Sequence, residues 1–288
     1  MNFQSGLTTY RYWNHQNEVF SSRTEKVDRA KLKFDLLRMR PDYHALGRSL
    51  ETDGVAVIDR YWSADKAAQA RAEIDRLIAT FPEAVHCRSG NSDKRMFGVE
   101  SVSPLLAEFH RDPFLRSVGE YLGGLALYNF ATLGARIDAT PENNGSGDGW
   151  HRDGHGFQFK TILYLSDVGE ENGPFEFLPA SHKQWRAAFD TVLGNLPAAP
   201  NSRYEPAAVD RMVRRFWLKR RHYPAKAGTL LLVNTSGIHR GKPLQSGSRY
   251  ALTNYYYHPV QVGESRIHQF APMMPGTAER IRADFPEA

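Results

Sequence analysis

Between Ser63 and Thr80 the apolar residues Ala67, Ala70, Ile74, Leu77 and Ile78 recur at the spacing of one helix face. Ser63 stands where an N-cap hydroxyl belongs, so a helix is predicted over 64–80. The same period predicts a helix from Thr24 to Arg40, ended by Pro41, and a shorter one from Asp42 to Glu51. Pro113 opens another, PFLRSVGEYLGG, which Gly123-Gly124 stops. Strand signals are sparse at first: VAVID after the Asp53-Gly54 turn, and NSDKRMFGVE, where Arg95, Phe97 and Val99 would share a face. From residue 125 they dominate, with LALYNFATLGARID, FQFKTILYLS, FEFLP, GTLLLVN and RYALTNYYYHPV separated by turn residues. Asn172-Gly173 between the second and third of these predicts a hairpin or near-hairpin.

This order predicts an α+β protein with a mainly β core, a sandwich or jelly roll with N-terminal helices packed on one sheet. The expected organisation is one domain over 1–288. Residues 1–24 form an N-terminal arm, 25–125 a mainly helical support and 126–260 the core. An insertion, 183–226, interrupts the core, and 261–288 form an irregular tail with a short terminal helix. The chain is long enough for a sizeable core, and 41% hydrophobic and 24% charged residues are ordinary for a globular protein. One cysteine, Cys87, excludes an internal disulfide and any cysteine-based metal site. With no signal-peptide pattern and no run of 18 apolar residues, a cytoplasmic location away from membranes is expected. The net charge of +5 is spread along the chain and gives no argument for nucleic acid. Its densest run, 211–226, holds seven basic residues and reads either as a solvated face or as a lid attracting an anionic small molecule.

The candidate chemistry lies in GWHRDGHGFQFK, residues 149–160. His151 and Asp153 are two apart at the mouth of a strand, so both can face one metal ion. An imidazole and a carboxylate so placed are two thirds of the facial triad of non-haem Fe(II) oxygenases, and His239 in NTSGIHRG is the candidate third ligand. Three ligands on one face leave three positions open, enough for a 2-oxo acid and dioxygen. The far carboxylate of such a co-substrate calls for an arginine fork. Arg249 fits if GKPLQSGS is a hairpin loop, because His239 and Arg249 would then be cross-strand neighbours. Alternation puts Gln158, Lys160 and Tyr164 on one face of their strand, which either lines the cavity and touches co-substrate or substrate, or is a solvated edge. By the same parity Thr253 shares the face of Arg249. His155 is either a loop histidine or a substrate contact, Arg95 is a candidate contact on a second wall, and His182 reads as structural.

HRD, ENGPFEFLPASHK, GTLLLVNTSGIHRG and SRYALTNYYY together closely resemble the phytanoyl-CoA dioxygenase family of Fe(II)/2-oxoglutarate oxygenases, over about residues 53–257. The resemblance implies a double-stranded β-helix, iron on His151, Asp153 and His239, and Arg249 on the C5 carboxylate of 2-oxoglutarate. It also implies oxidation of a small organic molecule by O2, coupled to decarboxylation of 2-oxoglutarate to succinate and CO2. Halogenating relatives carry a small residue where Asp153 stands, so an aspartate there implies hydroxylation or another halide-free oxidation. The chain departs from the family pattern in PASH (179–182), where many members have Pro-Gly-Ser-His, and in its long basic insertion. Two other readings remain open: a non-redox metal-binding jelly roll of the cupin kind, and a catalytically silent binding module. The substrate and the oligomeric state have no signature in the sequence.

Overall fold

The computed structural model describes residues 25–286, apart from 89–90, 155, 195 and 197–202, together with isolated positions before residue 25. The expected arm, 1–24, therefore lies almost wholly outside the described residues. Helices Arg29–Met39 and Tyr43–Thr52 lead into strand β1 (Val55–Ile58) and helix Ala64–Thr80. The first helix starts five residues later than its periodicity predicts. Asp28 caps it, accepting from the N–H groups of Ala30 and Lys31, while Lys26 bridges to Leu125 as extended chain. The helix predicted over 64–80 is observed with those bounds, and the Ser63 hydroxyl accepts from Lys66 N–H at 3.2 Å.

Strands β2 (His86–Arg88) and β3 (Asp93–Phe97) follow, then helices Pro104–His110 and Pro113–Gly123. Strand β3 ends at Phe97, two residues short of the expected Val99, because Gly98 turns the chain at φ +89° into a short 3-10 helix. The core strands are β4 (Tyr128–Asp138), β5 (Trp150–His151), β6 (Phe159–Tyr164) and β7 (Phe175–Phe177). The insertion then contributes helix Gln184–Val192, strand β8 (Arg203–Tyr204), helix Pro206–Arg215 and strand β9 (Arg221–Tyr223). Strands β10 (Leu230–Asn234), β11 (His239–Gly241) and β12 (Ser248–Tyr257) complete the core. The tail is more regular than expected, with helices Glu264–Phe270 and Thr277–Asp284.

All pairings are antiparallel and form two sheets, ordered β1-β10-β6-β12-β4-β3-β2 and β8-β5-β11-β7-β9. Strand β10 is buried on both faces, which explains its unbroken LLLV run. Leu230 and Leu232 join Leu163, Leu252 and the N-terminal helices, including Leu36, Leu50, Ile74 and Leu77, in one core. Leu231 and Val233 point the other way and pack with Val55, Tyr164, Phe175 and Phe177, joining the two sheets. The result is the expected jelly roll with helices against the outer face of its larger sheet. No helix among the described residues is long and apolar enough to cross a membrane.

Two connections differ from their sequence reading. Gly173 does turn the chain, at φ +69°, but β6 and β7 lie in different sheets, so the segment is a crossover and not a hairpin. Likewise β11 and β12 do not pair. The loop between them is drawn towards the β6–β7 connection by hydrogen bonds from Lys242 N–H to Pro174 O and from Gln245 N–H to Glu171 O. His239 and Arg249 are therefore not cross-strand neighbours: they belong to opposite sheets.

Candidate functional site

His151 on β5 and His239 on β11 face each other in register across the smaller sheet, with ring centroids 4.2 Å apart. Asp153 lies past the end of β5, where its backbone N–H donates to Thr235 O at 3.1 Å. Together the three bring one ligand atom each within 4.8 Å of one another, the one such group among the described residues. The Asp153 carboxylate is 3.7 Å from His151 Nε2 and 3.8 Å from His239 Nε2.

The backbone sets the ring orientations. His151 Nδ1 is 2.8 Å from Gly149 O, and His239 Nδ1 is 2.9 Å from Gly237 O. A carbonyl only accepts, so each Nδ1 carries the proton and each Nε2 presents its lone pair to the shared point. Burial lowers both histidine pKa values and keeps the rings neutral. Burial alone would raise the Asp153 pKa, but the Lys160 ammonium 2.7 Å away holds the carboxyl below its ordinary range. Two neutral imidazoles and an ionised carboxylate on one face are a donor set that fits a divalent transition metal. Gly147 closes over this centre at φ +88°, where a Cβ would stand 2.3 Å from His151 Cε1.

The three groups open onto a cavity of about 1040 Å³ between the sheets. Arg249 lines it from β12, buried, with its guanidinium against the backbone of Gly241, whose added Cβ would meet Nη2 at 2.9 Å. Burial presses its pKa down, and the guanidinium makes no ion pair or hydrogen bond among the described residues. A charge so buried and so oriented is suited to an incoming carboxylate.

Lys160, Tyr164 and Thr253 also line the cavity, as alternation predicts. Lys160 is committed to Asp153 and lies 4.1 Å over the Tyr255 ring. The Tyr164 hydroxyl donates to Tyr223 O and accepts from Phe175 N–H, leaving its ring to face the cavity. Arg95 is on the wall but carries its own counter-ion, Asp93, and contacts Ser146 Oγ at 3.2 Å. His155 lies outside the described residues. His182 sits away from the cavity, against Gly54, where a Cβ would meet its Nδ1 at 2.6 Å.

The basic run is placed differently from the lid reading. None of residues 211–226 lines the cavity; the run forms the end of one helix and edge strand β9. The insertion reaches the cavity through Gln184 and through Arg203, which pairs with His151 in the β8–β5 register. Arg203 had no sequence signal, because a strand of two residues has no period to read. Arg266, Gln269 and Phe270 of the tail also reach the cavity, from a segment whose sequence reads as irregular.

A family model described as phytanoyl-CoA dioxygenase (PhyH) matches residues 50–251. The ectoine dioxygenase of Bordetella parapertussis is 26% identical over 165 residues, covering 52% of this chain and 51% of that protein. That of Stutzerimonas stutzeri is 23% identical over 191 residues, covering 59% and 62%. The chain thus spans about half the length of the first of these relatives and under two thirds of the second. Among solved structures, the non-haem alpha-ketoglutarate-dependent epimerase SnoN from nogalamycin biosynthesis superposes with a TM-score of 0.59 at 19% identity, over 81% of this chain and 90% of that one. EctD from S. alaskensis gives 0.58 at 16% identity, over 80% of each chain. At these identities the likeness carries the fold.

Proposed function

The chain belongs to the phytanoyl-CoA dioxygenase family, and on that premise we propose that it is a non-haem Fe(II)/2-oxoglutarate-dependent dioxygenase hydroxylating an unactivated C–H of a small organic molecule. His151, Asp153 and His239 would hold the iron, and Arg249 would take the C5 carboxylate of 2-oxoglutarate. Lys160, Tyr164 and Thr253 would wall the co-substrate. The bound metal supplies a site at which O2 oxidises 2-oxoglutarate to succinate and CO2 and provides the hydroxyl oxygen. The protein's own contribution is geometric and electrostatic. The Gly149 and Gly237 carbonyls fix the imidazole tautomers, and Lys160 keeps Asp153 ionised. Strands β6 and β12 wall the cavity from the opposite sheet.

The observation that carries the reading is a buried guanidinium, Arg249, with no partner among the described residues, in the same cavity as the His-Asp-His group. The same observation speaks against a cupin-like non-redox enzyme, which has no use for a co-substrate anchor and draws on a further histidine ligand. Solved relatives named for alpha-ketoglutarate-dependent chemistry include an epimerase and a carbocyclase, so the fold itself is compatible with outcomes other than hydroxylation. Asp153 speaks against halogenation, because its carboxylate occupies the position a halide would take, and so supports hydroxylation or another halide-free oxidation.

An anaerobic titration of the apoprotein with Fe(II) and then 2-oxoglutarate tests the assignment. A visible metal-to-ligand charge-transfer band should need both additions and should disappear in His151→Ala and His239→Ala. Bound iron without a band would favour the non-redox reading, and no iron binding at all would leave a silent module.

A further inference from the structure

At about 1040 Å³ the cavity has room for a drug-sized molecule beside a five-carbon co-substrate. One wall of that space is aromatic, with a cation at each end. At the end nearer the His-Asp-His group, Lys160 pairs with Asp153 at 2.7 Å and lies 4.1 Å over the Tyr255 ring. Tyr255 packs against Phe270 at 5.5 Å between centroids. Phe270 in turn packs against Phe97 at 4.8 Å and Tyr257 at 6.3 Å. At the other end the Arg266 guanidinium lies 4.2 Å over the Tyr257 ring. Both cations and all four rings line the cavity.

The protein answers the cavity's cations unequally. Lys160 has Asp153, Arg95 has Asp93 and Arg88 has Asp148, while Asp148 and Asp153 both act on Arg203. Arg266 makes no ion pair among the described residues. Glu264, two positions before it, is taken by Arg282. What Arg266 does have is a hydrogen bond from Nη1 to the neutral Gln269 Oε1 at 2.8 Å, and its Nε is buried with no hydrogen-bond partner among the described residues. A guanidinium lying over a ring engages its face and keeps its in-plane N–H groups for acceptors. A carboxylate or phosphate completes such an edge through paired hydrogen bonds.

Resting on the dioxygenase reading, we infer that Arg266 binds the anionic group of the primary substrate, whose apolar part lies along the wall of Tyr257, Phe270 and Phe97. The substrate is then an amphipathic carboxylate or phosphate. Its anion sits at the Arg266 end, and the C–H to be oxidised lies towards Asp153. The two arginines divide the work, Arg249 holding co-substrate and Arg266 substrate. Helix Glu264–Phe270, which supplies both Arg266 and Phe270, is thereby the specificity element.

The test uses the protein loaded anaerobically with Fe(II) and saturating 2-oxoglutarate, whose uptake is measured first. Calorimetry then compares 4-phenylbutyrate and 2-phenylethyl phosphate with the neutral 4-phenylbutanamide. At least one anion should bind tenfold or more tighter than the amide, and the better of the two distinguishes a carboxylate from a phosphate site. Arg266→Gln should reduce that preference below threefold while 2-oxoglutarate affinity stays within twofold. Arg266→Lys, which keeps the charge but loses the fork, should lower the preference at least threefold. Should the glutamine variant fail to fold, that drop in the lysine variant decides. Equal binding of anions and amide, binding of none of them, or a preference unchanged in the Arg266 variants would overturn the inference; with normal 2-oxoglutarate uptake, the dioxygenase reading would survive it. A 2-oxoglutarate affinity that falls in step with the preference would place Arg266 on the co-substrate and overturn it as well. The comparison is repeated on apoprotein. Absent 2-oxoglutarate uptake with an intact, Arg266-dependent anion preference would remove the dioxygenase reading and leave the anion site standing.

Discussion

The Arg249 guanidinium is a buried charge with no ion pair among the described residues. Desolvation opposes its ionised form, and Asp93, the carboxylate in range to oppose that, is engaged by Arg95. An arginine held in this state favours whatever carboxylate enters, because the ligand supplies the missing counter-charge along with its hydrogen bonds. Arg249→Ala should therefore weaken 2-oxoglutarate binding by roughly 2–5 kcal/mol, since the ligand's carboxylate would then be buried unpaired. Fe(II) affinity should hardly change, because Arg249 touches none of the three ligand side chains. Unchanged 2-oxoglutarate affinity by calorimetry would sink the assignment. Arg249 was legible in the sequence by its residue type and its place after a strand-forming run. The hairpin with His239 that the spacing predicts is not the arrangement the fold uses. The two residues line one cavity because the sheets face each other, and a sequence shows period but not which sheet a strand joins.

Strand length decides which elements the sequence reveals. Strand β6, with six residues, shows its alternation plainly, and Lys160 and Tyr164 fall on the cavity side as the pattern says. The smaller sheet, which holds both candidate histidine ligands, is built of strands of two or three residues. These are too short for any period, so the pairing of His151 with His239 and the arrival of Arg203 were invisible. What holds such short strands is side-chain chemistry. Arg152, between the two candidate ligands, is buried and donates to Ser181 O, Ser236 O and the Asp190 carboxylate, tying β5 to the turn before β11 and to helix Gln184–Val192. Arg152→Met would leave two carbonyls unpaired and Asp190 buried with Arg186 alone. A loss of roughly 3–5 kcal/mol in stability is expected from denaturant unfolding. Fe(II) affinity should fall as well, because the segments carrying Asp153 and His239 lose their common anchor. A change below about 1 kcal/mol would show that the network is dispensable.

Across the whole molecule, several titratable groups are held away from their ordinary protonation state by the packing of helices on the larger sheet. His110, at the end of helix Pro104–His110, is buried with its Nδ1 3.0 Å from Thr132 Oγ1 and 3.6 Å from Glu100. Burial, reinforced by Arg280 and Arg111, takes its pKa down to about 3. His182, behind the β1 turn, is likewise lowered by burial to about 4. A histidine whose folded pKa lies below its unfolded value stays neutral in the fold and takes up a proton on unfolding. Its contribution to stability is complete above the unfolded value near 6.5 and declines as pH falls towards the folded value. The carboxylates of Asp138 and Asp153, held low in the fold, act on the same side but only below the ordinary aspartate range near 3.8. The two windows are separable. Between pH 6.5 and about 4 each such histidine should lower stability as pH falls, by up to about 1.4 kcal/mol per pH unit, while Glu100, whose carboxyl burial pushes up to about 7, acts in the opposite sense. His110→Gln keeps a polar partner for Thr132 and has no proton to take up. It should flatten the dependence of the urea midpoint on pH by up to one proton in that window, leaving the steeper fall below pH 4 in place. If His110→Gln left the slope of the midpoint between pH 6.5 and 4.5 unchanged, His110 would be protonated or solvated in the fold, and the packing that buries it would be looser than the structure describes.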